Sequence, residues 1–334
     1  MTTVALADPT TDPQEDRAER WAAIAQRRGS LVVLAVLCLI ASFSFDAFAT
    51  GENIRNILLQ SSFISVVALG MTFVILTGGI DLSVGSVYAL GGVLAAWGAQ
   101  YGLLGALLVP LLVCGGIGLI NGLFIVRAGM APFIVTLTTL LFARGLLLSI
   151  TDEGANTRVL DKDSAFVTMG QGTFLHTGLP VFIALGLFGL GTLVLQRTAF
   201  GQTVLAIGSN EDAAALMGLP VPRVKLGVYV LSSVLAGFGG MMAAAQAQSG
   251  VTIVGVGLEL TAISAVVIGG TLLTGGAGST GGTLAGVLLL GVIQNVINQI
   301  GSLNSSWQQV VNGLFLVIVV IAQTFLARRQ RLRL

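Results

Sequence analysis

The chain has 334 residues, of which 9% are charged and 54% hydrophobic, and its formal net charge is +1. A water-soluble protein of this length needs far more charge to cover its surface, so the balance excludes a soluble enzyme and reads as a chain solvated by lipid. The near-zero charge also leaves no electrostatic basis for nucleic-acid binding.

The first 28 residues are polar, too long and too acidic for the basic region of a signal peptide, and read as a cytoplasmic tail (1–28). A transmembrane domain over 29–327 follows, and a short basic tail, 328–334, closes the chain. A span needs about 20 mostly apolar residues. Spans are expected near 30–49, 57–77, 84–99, 103–126, 130–150, 180–196, 225–247, 256–275, 279–299 and 307–326, ten in all. The expected fold is therefore an all-α polytopic membrane protein. The third and sixth spans are short, and the breaks at 78–83 and 276–278 leave little room for a turn, which predicts broken or re-entrant segments there. Glycine, at 45 residues, suits close helix approach and interrupted helices.

Charge fixes the expected orientation. With both termini in the cytoplasm, that side collects Arg17, Arg20, Arg27, Arg28, Arg127, Arg197, Arg223, Lys225, Arg328, Arg329, Arg331 and Arg333. The outside keeps Arg55, Arg158 and Lys162, and Arg144 falls within a span. This bias matches an even span count in a bacterial inner membrane. Two connections are long: 151–179, expected outside, and 197–224, expected in the cytoplasm.

Two regions, 70–96 and 263–289, share the order apolar run, glycine-rich polar break, apolar run. Both breaks follow an outside-to-inside span, which describes a weak internal parallel repeat. Within the first break, Asp81 either caps the next helix through amides near Ser83 and Val84, contacts substrate, or couples protons. Glu259 lies in the expected first turn of the eighth span, where a negative charge is favourable, so capping or an ion pair is expected; a gate or a binding-protein contact is the alternative. Arg144 either snorkels outward or pairs with Asp81 or Glu259.

An uncharged solute needs hydrogen-bonding groups rather than charges. Gln60, Ser83, Asn121, Gln246, Gln248, Gln294, Asn295 and Asn298 supply them in or beside spans, and Phe73, Tyr88 and Trp307 supply apolar faces. Helix-to-helix bonding is an equally good use for each amide. Cys38 and Cys114 lie in apolar runs and His176 in a polar loop, so neither a disulfide framework nor a metal site is expected.

The cytoplasmic stretch SNEDAAALMGLP (209–220) predicts a short helix. Ser209 or Asn210 caps it, Glu211 and Asp212 occupy its first turn, and Gly218 with Pro220 stops it. Ala213 to Met217, with Leu216 and Met217 at the end, form a small apolar surface suited either to a protein partner or to the membrane surface. Neither a G-x-x-x-x-G-K-[ST] phosphate loop nor H-E-x-x-H occurs, so any ATP hydrolysis belongs to another subunit.

These segments carry a resemblance. VALGMTFVILTGGIDLSVGSVYAL (67–90), NGLFIVRAGMAPFIVTLTTLLFARG (121–145), TAFGQTVLAIGSNEDAAALMGLPVPRVK (198–225) and LELTAISAVVIGGTLLTGGAGSTGGTLAGVLLLGVIQNVINQIG (258–301) resemble the membrane permeases of bacterial ABC sugar importers of the ribose/xylose/galactofuranose type. The likeness covers roughly 50–326. GMTFVILTGGIDLSVGS, GVGLELTAISAVVIGGTLL and LNSSW (303–307) look most like galactofuranose permeases.

The resemblance implies a non-catalytic subunit that pairs with a second permease chain, the same or homologous, around a translocation path. It implies two cytoplasmic ATPase domains, which hold the ATP and magnesium, and an extracytoplasmic sugar-binding protein. It assigns ATPase coupling to Asn210, Glu211, Asp212, Leu216, Met217 and Gly218. A secondary transporter using Asp81 and Glu259, a membrane enzyme, and a branched-chain amino-acid permease are the alternatives.

Overall fold

A computed structural model describes residues 13–301 and scattered positions within 307–321; side chains are described from Gly29 onward. The polar tails at 1–12 and 328–334 and most of the tenth expected span lie outside the described residues.

Among the described residues, twelve bounded α-helices follow in order: α1 Pro13–Ser44, α2 Gly51–Leu76, α3 Val84–Gly98, α4 Gly102–Arg127, α5 Pro132–Ile150, α6 Ala165–Gln171, α7 Leu179–Arg197, α8 Ala199–Ser209, α9 Glu211–Leu216, α10 Val221–Ala247, α11 Leu258–Ile268 and α12 Thr280–Ile300. Among the described residues, six stretches are long and apolar enough to cross a membrane. One of them, Val84–Arg127, is two helices. A 3-10 turn at Ala99–Tyr101 ends at Gly102, whose φ of 78° reverses the chain, and α3 then packs on α4. The molecule is thus a helical, multi-pass membrane protein.

Burial sorts the helices. The apolar window of α2 is 78% buried and that of α10 is 72%, against 22% for α5 and 33% for α7. In lipid an exposed leucine costs nothing, so burial here marks helix–helix contact rather than hydrophobic collapse. α10 packs against α2, α3 and α4, and α2 also meets α7, α11 and α12. α1 lies at the edge on α12, with Phe43 facing outward and Ala41 inward.

Several expected boundaries shift. The α1 helix starts at Pro13, so regular backbone crosses the division expected at residue 28. The 197–224 connection is mostly helical, containing α8 as well as α9, and α10 begins at Val221. The 151–179 connection holds α6 and a two-stranded hairpin, β1 Thr173–Phe174 with β2 Thr177–Gly178. Leu175 and His176 form its turn with φ of 48° and 61°, the positive values a two-residue hairpin requires. Arg158 ties this connection to the end of α3, donating to Gln100 at 2.9 Å and stacking 5.3 Å from the Trp97 ring.

The largest departure concerns 256–275, expected as a full span. Only Leu258–Ile268 is helical, a length of about 16 Å against a hydrocarbon core of about 30 Å. Gly255, Gly257 and Gly270 adopt φ of 81°, 76° and 92°, outside helical geometry. The α3 helix is also short, at 15 residues.

The bundle has two ends. One gathers 77–83, 128–131, α8–α9 and 269–279; the other gathers 99–101, 151–178 and the start of 248–257.

Candidate functional site

The segment 248–257 leaves the end of α10 and runs inward along α3. Gly250 packs on Val93 and Ala96 near the C-terminus of α3, whereas Gly255 packs on Gly85 near its N-terminus. Irregular backbone at membrane depth must find hydrogen-bond partners within the protein. Arg144 of α5 supplies two: its guanidinium donates to the Thr252 carbonyl at 2.7 Å and the Val254 carbonyl at 3.3 Å. Among the described residues Arg144 thus holds backbone carbonyls and forms no direct ion pair. Its charge acts on the Glu259 carboxylate, which sits against the amides of Gly257 and Glu259 in the first turn of α11.

This segment walls a cavity of about 230 Å³. Gln60 and Phe63 of α2, Tyr88 and Gly92 of α3, and Gln246 of α10 line it, together with Ser249, Val251 and Val254. Three of the residues singled out by sequence, Gln60, Tyr88 and Gln246, thus share one space. Amides beside an aromatic ring give donors, acceptors and an apolar face, which suits a neutral polyhydroxylated solute and offers no charge to a zwitterion.

Asp81 lies elsewhere, fully buried between α2 and α3. Its Oδ1 accepts the Ser83 amide at 3.0 Å and the Ser83 hydroxyl at 2.5 Å, and its Oδ2 accepts the Ser232 hydroxyl of α10 at 2.8 Å. The chain of bonds continues: Asn121 donates to Ser83 at 3.2 Å, and Thr139 donates to Asn121 at 2.6 Å. A single network thus ties α3, α4, α5 and α10 to the first break. Three donors solvate the carboxylate in place of a cation. The bond to Ser83 corresponds to the local-cap alternative for Asp81; Ser232 and Thr139 were not singled out, although the Ser232–Ser233 pair inside an apolar run was the available signal. The Tyr229 hydroxyl is buried beside Gly79.

Other candidates separate from the cavity. Phe73 is buried in the core, its ring 6.3 Å from that of Phe200. Asn295 on α12 exchanges two amide bonds with Asn53 on α2, at 2.7 and 3.1 Å, and accepts from Gln299 at 2.8 Å. This is helix-to-helix bonding near the end away from α9. Gln294 is partly buried and Asn298 exposed on the same helix. Gln248 bonds Gln171 of α6 at 2.9 Å. Cys114 is buried and Cys38 partly so, both as thiols, and no group of metal-ligating residues occurs among the described residues.

At the opposite end, Asn210 caps α9 by accepting the Ala213 amide at 2.9 Å, while Ser209 turns back to the Leu205 carbonyl. Ala214 is buried, and Leu216 and Met217 stand out, 90% and 79% exposed. Gly218, with φ of 80°, ends the turn. Lys225 of α10 holds both Glu211 oxygens at 2.7 Å, bracing the helix against the bundle. A cleft of about 400 Å³ beside it is bounded by Met130, Ala131, Pro132 and Pro222. Glu211 is thus a brace, and Leu216 with Met217 form the exposed knob.

Residues 53–320 match the family model described as "Branched-chain amino acid transport system / permease component". The chain belongs to this family. The permease is 38% identical over 300 residues to the ribose import permease protein RbsC of Bacillus subtilis, covering 89% of this chain and 92% of the relative. It is 41% identical over 286 residues to the inner membrane ABC transporter permease protein YjfF of Escherichia coli, covering 84% and 86%. It is 35% identical over 326 residues to the L-arabinose ABC transporter permease protein AraH of Azospirillum brasilense, covering 97% and 95%. No solved structure matches.

Proposed function

We propose that this permease is the translocation subunit of an ATP-driven importer of a monosaccharide. The observation that carries the reading is the pairing of two sites at opposite ends of one bundle. One is a neutral, amide- and tyrosine-lined cavity; the other is a rigid apolar knob with no role in the chain's own core. The names of its relatives, which include ribose and L-arabinose permeases, support the solute class. Galactofuranose is the finer reading, resting on the wording of 70–86 and 255–273 and on LNSSW at 303–307. The absence of any charged group among the cavity residues favours a neutral sugar over an amino acid.

In this scheme the α9 end faces the cytoplasm, with both termini, and ten spans cross the inner membrane in an arrangement containing the parallel repeat. The path forms with a second permease chain, and an extracytoplasmic binding protein delivers sugar to the cavity end. Leu216 and Met217 seat on a cytoplasmic ATPase, where ATP and magnesium are held, and the permease itself makes and breaks no covalent bond. Arg144 holds the irregular segment 248–257 as a wall of the cavity, so movement of that wall changes access. The Asp81 network holds the first break together and takes no part in proton coupling.

The test is reconstitution in liposomes with the ATPase and binding protein, measuring uptake of labelled galactofuranose, ribose, L-arabinose and xylose. ATP-dependent uptake that needs every component is the expected result. Gradient-driven uptake by the permease alone, without ATP, would reject the reading and make Asp81 the leading coupling group.

A further inference from the structure

Three segments far apart in the chain meet at one point almost wholly through backbone, the Ser209 hydroxyl being the side-chain group beside Gly276. The Leu76 carbonyl, at the end of α2, accepts the Gly276 amide at 3.0 Å. A Cβ on Gly208, in the last turn of α8, would collide with that same carbonyl oxygen and with the Gly276 nitrogen. One on Gly275 would lie 2.7 Å from the Gly78 nitrogen and 3.0 Å from the Gly208 Cα, and one on Gly276 would lie 2.9 Å from the Ser209 nitrogen. Gly78, Gly275 and Gly276 have φ of 75°, 86° and 76°. Both glycine breaks and the root of α9 therefore form one backbone-to-backbone contact.

The linkage onward from this contact is short on every side. Asn210 is at once the C-cap of α8 and the N-cap of α9, so the knob joins Gly208 with no loop between. The first break leads into α3, which carries Tyr88 of the cavity, and the second into α12. Close-packed backbone has no rotamers with which to absorb a displacement, so strain passes through it. A side chain at this point would add both distance and slack.

We propose that this glycine junction transmits movement of the docked α9 knob to α3 and α12, with Gly208 as its positioning residue. The proposal rests on the reading of α9 as the ATPase-docking surface. A push on the knob displaces Gly208 against Leu76 and Gly276 and shifts both breaks together.

The test uses the complete complex of permease, ATPase and binding protein in liposomes, comparing wild type with Gly208→Ala and Gly281→Ala. Gly281 begins the same helix that the second break feeds, but a Cβ there meets open space. Alanine also favours the α8 helix itself, so Gly208→Ala disturbs the contact and not its own element. Expected for Gly208→Ala is normal co-purification of the ATPase and continued binding-protein-stimulated ATP hydrolysis, with sugar imported per ATP reduced by roughly tenfold or more, within the range such coupling energies span. Gly281→Ala keeps the wild-type ratio. An assembled Gly208→Ala complex with an unchanged ratio overturns the proposal.

Should Gly208→Ala fail to assemble, hydrogen exchange in the unmodified complex decides. A non-hydrolysable ATP analogue is expected to change protection at 76–83 and 272–279 together with 205–212, and no change at the two breaks overturns the junction. Failure of the docking reading looks different: the ATPase would still co-purify when Leu216 and Met217 are both made polar.

Discussion

Asp81 and Ser232 are 151 residues apart, yet the serine hydroxyl donates to the carboxylate at 2.8 Å, joining the first glycine break to the most contacted helix of the bundle. The Ser83 amide and hydroxyl fill the other oxygen. Removing the acceptor by Asp81→Ala leaves three buried donors unsatisfied, each orphaned group costing about 1–3 kcal/mol. Asp81→Asn keeps an acceptor for Ser83 and presents a donor to a hydroxyl that also accepts. Thermal unfolding in detergent is therefore expected to drop sharply for Asp81→Ala and much less for Asp81→Asn, with ATP-driven uptake surviving in Asp81→Asn. Abolished uptake in a stable Asp81→Asn protein would point instead to proton coupling.

Arg144 is expected to matter through geometry as much as charge. Lysine keeps the charge but lacks the planar fork that reaches the Thr252 and Val254 carbonyls together. Hydrogen bonds from a charged donor contribute about 1.5–3 kcal/mol each. Arg144→Lys should therefore speed hydrogen exchange across 248–257 while leaving α9 and ATPase binding unaltered. Equal protection in both proteins would remove Arg144 from its role as the anchor of that segment.

The cavity makes a prediction about transport kinetics. Tyr88→Phe and Gln246→Leu each remove one hydrogen-bonding group, a loss of about 0.5–1.5 kcal/mol, or roughly 2- to 13-fold in apparent affinity. Uptake assays across sugars should show this loss unevenly, largest for the sugar whose hydroxyl met the missing group. A uniform effect on every sugar would indicate a packing defect instead.

The Asn53–Asn295 pair is expected to behave as helix adhesive. A double-mutant cycle to alanine should give a coupling of about 0.6–2 kcal/mol in stability, the range for hydrogen bonds between membrane helices. Sugar dependence of uptake should stay unchanged, whereas a shifted preference would return Asn295 to the translocation path.

Leu216 and Met217 face solvent, so replacing both with serine should alter stability by no more than about 0.5 kcal/mol per site. Co-purification of the ATPase is the measurement, and its loss from an otherwise stable permease is expected.

Much was legible in the residues because lipid imposes simple rules. Low charge and long apolar runs require helices, and the spacing in SNEDAAALMGLP encodes a cap, a helix and a stop. The family resemblance, carried by TGGIDLSVGS and the 209–220 stretch, likewise lies in consecutive residues. Each of these is a local property, decided within a few turns of chain.

Tertiary structure decided what local pattern leaves open. Hydropathy made 256–275 a span because it counts apolar atoms and is blind to the positive φ of Gly255, Gly257 and Gly270. Asn295 and Gln246 are alike as amides inside apolar runs, yet one bonds Asn53 and the other lines a cavity. A polar group in a membrane takes whichever partner packing brings within 3 Å, and that partner is usually on another helix. Arg144 reached backbone carbonyls rather than either carboxylate for the same reason. The meeting of Leu76, Gly208 and Gly276 is likewise a contact between distant segments, fixed only when the helices assemble.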